Sequence, residues 1–243
     1  MIWIARLSLP GVFWLVLACP AAALPLVQST FDSGTNGWGG IIVDGSVITT
    51  SAVSFVAGAG NPGGALRHDA PSDSATSFFL APASFAAALH SAAGGSISWD
   101  SSTISHAGDV YFASFADVNI RAGDDRLRLD VTPPPPATHP AFTHYSVPFD
   151  ISAGWLLFDG TSTTTATHGQ IDSVLAGAES LIIRAEFFSG PTADIGFIDN
   201  VAVDPGATVP EPSTLLLCGS TLLAVTRGLL RRTRWSAYPY GTK

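Results

Sequence analysis

Ile195-Gly196-Phe197-Ile198-Asp199-Asn200-Val201-Ala202-Val203 announces the fold class of this chain. Apolar residues recur along it with a period of two, the mark of a strand with one face in a core and the other in water. The same rhythm runs through Ser96-Ile97-Ser98-Trp99, Val118-Asn119-Ile120, Arg126-Leu127-Arg128-Leu129-Asp130-Val131 and Tyr145-Ser146-Val147. Half-buried strands of this kind belong to antiparallel sheets. Gly123-Asp124-Asp125, between two of these runs, reads as a hairpin tip. Pro133 to Pro136 reads as an exposed loop, because proline has no amide hydrogen to give a ladder. One short helix is expected at about Gln170 to Gly177, where Ile171, Val174 and Leu175 share a face. The expected fold is all-β: an antiparallel two-sheet β-sandwich of jelly-roll type, with one short helix and no internal repeat.

Outward from this region, both ends of the chain read as targeting segments and not as fold. Arg6 precedes an apolar run from Leu7 to Ala18, and Ala21 and Ala23 stand at the two positions a signal peptidase inspects. Residues 1–23 therefore read as a signal peptide with a helical apolar stretch. Val16-Leu17-Ala18-Cys19 is a rival, a poor version of a lipoprotein box followed at once by Pro20. At the other end come Pro210-Glu211-Pro212, an apolar run from Thr214 to Val225, then Arg231-Arg232-Thr233-Arg234. Proline on either side of Glu211 keeps the backbone extended, the apolar run suits a bilayer as a helix, and the arginines favour the cytoplasmic side. A plain membrane anchor is the bland alternative. Ser213 to Leu230 supplies eighteen residues, interrupted by Arg227, against roughly 20 for a full span.

The order of those three C-terminal parts resembles the PEP-CTERM sorting signal of Gram-negative bacteria that make exopolysaccharide. The resemblance implies a membrane-embedded exosortase as processing partner, a transient stay in the inner membrane, and release to the cell surface or matrix. It divides the chain into a signal peptide (1–23), an exported domain (24–208), a sorting signal (209–234) and a cytoplasmic tail (235–243).

The two cysteines, Cys19 and Cys218, both fall in the targeting segments, so the exported domain has no disulfide and folds on its core alone. Charge is partitioned just as sharply. The domain carries eighteen Asp and Glu against five arginines (Arg67, Arg121, Arg126, Arg128 and Arg184) and no lysine, a net charge of about −13. A nucleic-acid binder needs the opposite sign for its phosphate contacts, so that class is excluded. The acidity suits a soluble extracellular domain and offers carboxylates to divalent cations.

From about Ser77 to Val203 the chain is similar to the laminin B domain, also called laminin IV type A. The similarity is carried by Phe78-Phe79-Leu80-Ala81-Pro82, Gly95-Ser96-Ile97-Ser98-Trp99, Asp109-Val110, Arg126-Leu127-Arg128-Leu129 and the proline run. It continues through Phe142-Thr143-His144-Tyr145-Ser146-Val147-Pro148, Gly154-Trp155, Ile171-Asp172-Ser173-Val174-Leu175, Leu181-Ile182-Ile183-Arg184-Ala185-Glu186-Phe187 and Ile198-Asp199-Asn200-Val201. The EGF-like modules that flank laminin copies are absent, so only the fold is carried over. Phe31-Asp32-Ser33-Gly34-Thr35-Asn36-Gly37-Trp38 adds a broader resemblance to the first strand of galactose-binding-like jelly rolls, the fold of many carbohydrate-binding modules. That resemblance implies a structural Ca²⁺ shared by Asp32 and Asp199, with backbone carbonyls completing its shell. The plainer reading makes Asp32 a turn residue and Asp199 a backbone acceptor.

For chemistry, no Gly-x-Ser-x-Gly turn marks a nucleophile, and nothing selects one pair of carboxylates for glycoside cleavage. His68, His90, His106, His139, His144 and His168 are scattered through expected loops without metal-ligand spacing. Trp38, Trp99, Trp155, Tyr111, Phe112 and Phe115 are candidates for stacking sugar rings. Trp38 and Trp99 lie in expected strands and read as core. Trp155, in a Gly-rich segment, is the aromatic to test first for ligand contact, with core burial as the alternative. The expectation is a non-enzymatic, exported structural or adhesive protein associated with exopolysaccharide or biofilm. The alternatives are a carbohydrate-binding module, a polysaccharide-processing enzyme, and a plain membrane-anchored periplasmic protein.

Overall fold

The computed structural model describes residues 24–45, 47–70, 75–106, 109–112, 115–189 and 194–206. Ala21 and Ala23 of the signal segment lie outside the described residues, as do Pro210, Glu211, Pro212, Arg231, Arg232 and Arg234 of the sorting signal. Among the described residues no helix is long and apolar enough to cross a membrane. The first half of the domain runs β1 (Val27–Ser29), β2 (Gly39–Asp44), β3 (Val47–Ser51), β4 (Ser54–Val56), β5 (Ala65–Asp69), β6 (Thr76–Leu80), α1 (Ala83–Leu89) and β7 (Ser96–Ile104). Then follow β8 (Val110–Tyr111), β9 (Val118–Ala122), β10 (Asp125–Leu129), β11 (Thr143–Pro148), β12 (Leu156–Phe158), β13 (Thr163–Thr165), α2 (His168–Ala176), β14 (Ser180–Arg184), β15 (Phe188–Ser189) and β16 (Ile195–Asp204).

Two antiparallel sheets face each other. One has the order β11-β7-β16-β5-β4 with β1 also on β16; the other has eight strands in the order β13-β12-β10-β9-β14-β6-β2-β3. Their inner faces supply the core: Ile97, Trp99, Val147, Ile198, Val201 and Val203 on one side, Phe79, Val118, Ile120, Leu127, Leu181 and Ile183 on the other. Tyr145 stacks on Trp99 with ring centroids 5.1 Å apart, and its hydroxyl donates to the Pro133 carbonyl, so a polar tip leaves the core satisfied. The expected all-β two-sheet sandwich is the fold observed.

The last strand, β16, departs from strict alternation at one point. Its register against β7 shifts between Asp199 and Ala202, and Asn200 there has φ +50°. The bulge inserts one residue and reverses the phase of the side chains. Ile198, Val201 and Val203 consequently share the core face, while Phe197 turns outward and lies against the His139 ring at 3.9 Å.

The expected helix forms as α2. Thr167 and Gln170 make a reciprocal capping box at its start, and Ile171, Val174 and Leu175 are buried. A second helix, α1, goes beyond the single one expected. It carries no capping side chain and is held by burial of Phe85 and Leu89, with Phe85 edge-on to Trp38 at 5.1 Å. Gly123, at φ +61°, opens the two-residue turn that joins β9 and β10, as its sequence foretold. The proline run is a loop, but Pro135 is buried and not exposed, and the Pro136 carbonyl accepts from the Thr103 amide.

Candidate functional site

The outer face of the eight-stranded sheet is where the arginines gather. Strand register places outward residues in two rows across it. One row runs Leu80, Ile182, Asn119, Arg128, Leu156, Thr165; the other runs Ser180, Arg121, Arg126, Phe158, Thr163. Leu127 and Leu129 point the opposite way into the core, so alternation along β10 forces Arg126 and Arg128 onto this face. The rows floor a groove of adjoining hollows of about 240, 170 and 130 Å³. Ile41, Ile48, Phe78 and Ile182 make its apolar part, Asn119, Arg121, Arg126 and Arg128 its polar part, and the Asp130 carboxylate borders the smallest hollow beside Arg128.

Three of the domain's five arginines therefore line one groove of an otherwise acidic domain. Arg121 and Arg126 are directly opposite across β9 and β10. Like charges in that relation destabilise a sheet. Arg121 is tied to the Gly123 carbonyl at 2.8 Å and lies 4.0 Å from Glu179, an exposed contact that contributes little. Arg126 lies over the Phe158 ring at 5.9 Å. Neither Arg126 nor Arg128 has a carboxylate partner among the described residues.

One wall of the groove is Phe115 and Ala116, and a buried charge holds it in place. Arg184 is fully buried on the outward side of β14, paired with Asp117 at 3.2 Å. Its guanidinium also donates to the carbonyls of Phe112 at 2.7 Å, Phe115 at 3.1 Å and Glu186, and lies between the rings of Phe112 and Phe187. A planar five-donor group suits such a hub. Burial pushes the Asp117 carboxyl up, against the Val131 amide and Arg184, which favour its charged form. Phe115 then meets Phe78 edge-on at 6.3 Å.

The candidates from sequence fall out differently. Trp155 is 1% exposed, stacks on Phe149 and donates its indole N–H to the Pro148 carbonyl, so it is a core residue and presents no face to a ligand. Trp38 and Trp99 are buried as expected. Tyr111 meets Phe188 edge-on, and Phe112 covers Arg184; of the six aromatics, Phe115 reaches the groove. The signal that was there to be read is Phe158, an aromatic whose strand pairs with Arg126-Leu127-Arg128. His68 is not in a loop: it is a buried residue of β5, bonded to the Ser51 hydroxyl at 2.6 Å, and burial drives its pKa down to about 4. The fit is tight enough that a Cβ on Gly40 would come within 2.4 Å of its ring.

Asp32 and Asp199 both border the loop Gly60-Asn61-Pro62-Gly63. A Cβ on Gly63 would lie 2.7 Å from Asp32 Oδ1, and one on Gly60 would lie 2.6 Å from Asp199 Oδ2. Asp199 is fully buried and accepts from the Asn61 and Asn200 amides, each at 2.7 Å. Directly opposite it in β7 stands Asp100, a neighbour the sequence reading missed, bonded to the His144 ring at 2.7 Å and to the Asn200 side chain at 2.8 Å. Burial first, and then the charges of Asp100 and Asp32, push the Asp199 carboxyl up. Asp32, Asp100 and Asp199 offer hard oxygens around a glycine-lined loop, but their carboxylate oxygens do not all lie within 4.8 Å of one another.

No family model matches the chain, and no curated protein matches it. Among solved structures it is similar to the L4b domain of human laminin alpha-2, with TM-score 0.47 and 14% identity, covering 73% of this chain and 98% of that one. It is also similar to the N-terminal CBM22 tandem domain of Paenibacillus barcinonensis Xyn10C, with TM-score 0.40 and 13% identity, over 80% of this chain and 49% of that one. The C-terminal family 22 carbohydrate binding module of Clostridium thermocellum Xyn10B follows, with TM-score 0.37 and 10% identity, over 77% and 96%. The two-sheet architecture rests on the strand pairing itself.

Proposed function

We propose that this protein is an exported, non-enzymatic β-sandwich that holds an acidic polysaccharide in the groove on the outer face of its eight-stranded sheet. The observation that carries this reading is the gathering of Arg121, Arg126 and Arg128 on an apolar-floored groove of an acidic domain. Folding alone gains nothing from two opposed arginines. A carboxylate-bearing sugar chain offsets their repulsion and takes the planar fork of each guanidinium. The apolar faces of its rings pack on Ile41, Ile182 and Phe158, and the Asn119 amide serves its hydroxyls. The role is structural or adhesive, retention in a polysaccharide matrix.

On this reading the segment Pro210-Glu211-Pro212 with its apolar run and arginines delivers the domain to the surface or matrix through an exosortase. Asp32 and Asp199, with backbone carbonyls completing the shell, would hold a structural Ca²⁺ that ties the loop at Gly60–Gly63 to β16. Binding is tested by electrophoresis of the full-length chain through gels containing alginate, a polyuronate, or neutral dextran. Retardation by alginate alone, weakened by added salt, is expected. Equal retardation by both polymers, or by neither, overturns the reading. Sorting is tested by intact mass: a matrix form beginning at Leu24 and ending near Pro212 supports it, and a full-length tail found only in membranes refutes it.

A further inference from the structure

The turn after β7 brings His106 and Asp109 up against Asp194, the residue just before β16. Among the described residues this is the one group of three whose ligand atoms all lie within 4.8 Å of one another. That span leaves room for a single ion, because tetrahedral zinc ligands at about 2.0–2.2 Å stand about 3.4 Å apart.

The hydrogen bonding points to the same centre. The Asp109 side chain is fully buried and Asp194 is 1% exposed. One oxygen of each is satisfied: Asp109 Oδ2 accepts from the His106 amide, and Asp194 Oδ2 from the Phe188 amide at 2.9 Å. The other oxygen of each, Oδ1, is buried and receives no donor from the rest of the chain, and the two carboxyls lie within hydrogen-bonding reach of each other. Buried carboxylate oxygens left without a donor are costly and rare, and a facing pair calls for a shared proton or a bound cation. The His106 ring supplies a third ligand, with Nδ1 3.6 Å from Asp109 Oδ2, and is 43% exposed, so water can complete the coordination from the open side.

We propose that His106, Asp109 and Asp194 form a binding site for a divalent cation of the zinc class. An imidazole with two carboxylates is borderline chemistry that zinc accepts, whereas calcium calls for six to eight oxygens. The ion ties the segment after β7 to the entry of β16, beside the small sheet of β8 and β15. The site shares no residue with the groove or with the Asp32–Asp199 cradle, so its fate is separate from theirs.

The test is zinc titration of the full-length chain against a chelating dye, with stoichiometry read by native mass spectrometry. Wild type, Asp109→Asn, Asp194→Asn, His106→Gln and Asp199→Asn are compared. One zinc per chain is expected in wild type and in Asp199→Asn, with affinity weakened on the order of 100-fold in the other three. No zinc in wild type, or unchanged stoichiometry and affinity in those three, overturns the proposal. His106→Gln alters an exposed ring and decides the matter alone if either buried aspartate variant does not fold.

Discussion

Replacing Arg128 with threonine isolates the groove's charge from its fold. Arg128 is half-buried between Asn119 and Leu156, with no carboxylate partner among the described residues, so its removal breaks no ion pair there. It also relieves a crowd of like charge formed with Arg121 and Arg126. Threonine suits an outward strand position. Stability is therefore expected to shift by no more than about 0.5 kcal/mol. Binding behaves oppositely, because a hydrogen bond between a partly desolvated guanidinium and a carboxylate contributes about 1.5–3 kcal/mol. Its loss weakens alginate affinity roughly 10- to 150-fold. Arg126→Thr, at an exposed position, is expected to cost less and to flatten the dependence on salt. Calorimetric titration with alginate oligomers, beside urea unfolding of the same samples, measures both quantities. Unchanged affinity for alginate in Arg128→Thr, with the fold intact, would show that the groove does not hold the polymer through this guanidinium.

Further outcomes follow from the buried groups. Because burial lowers His68 from 6.5 to about 4, the unfolded chain takes up a proton between those pH values that the folded chain refuses. Stability from this group is full above pH 6.5 and falls by about 3 kcal/mol as pH drops to 4. The slope of unfolding free energy against pH in wild type, minus that in His68→Leu, should show this loss, and parallel slopes would contradict it. Arg184→Met leaves Asp117 buried and unpaired and is expected to cost about 3–5 kcal/mol in urea unfolding. Trp155→Ala should cost about 3–5 kcal/mol through the cavity it leaves. Where that variant remains folded, its alginate affinity should be unchanged. Calcium should raise the melting temperature of wild type and have no such effect on Asp199→Asn; an equal rise in both would remove the calcium proposal.

Period-two apolar patterning in Ile97-to-Trp99 and Leu127-to-Leu129 marked strands with one buried face, and together with the resemblance to laminin B and galactose-binding-like domains it pointed to a β-sandwich, because which face a strand buries is a local property of its side chains. Charge partition was legible for the same reason: it is read along the chain. Tertiary structure alone decided three things. The reversal of phase at Asn200 depends on a backbone bulge that no side-chain pattern announces. The opposition of Arg121 to Arg126, and the alignment of Arg128 with Phe158's strand, depend on register between strands. Trp155 in the core, and His106 and Asp109 beside Asp194, depend on how distant segments pack. Sites of this kind are made by contacts between residues far apart in the chain, whose proximity is set by sheet order and not by spacing along the sequence.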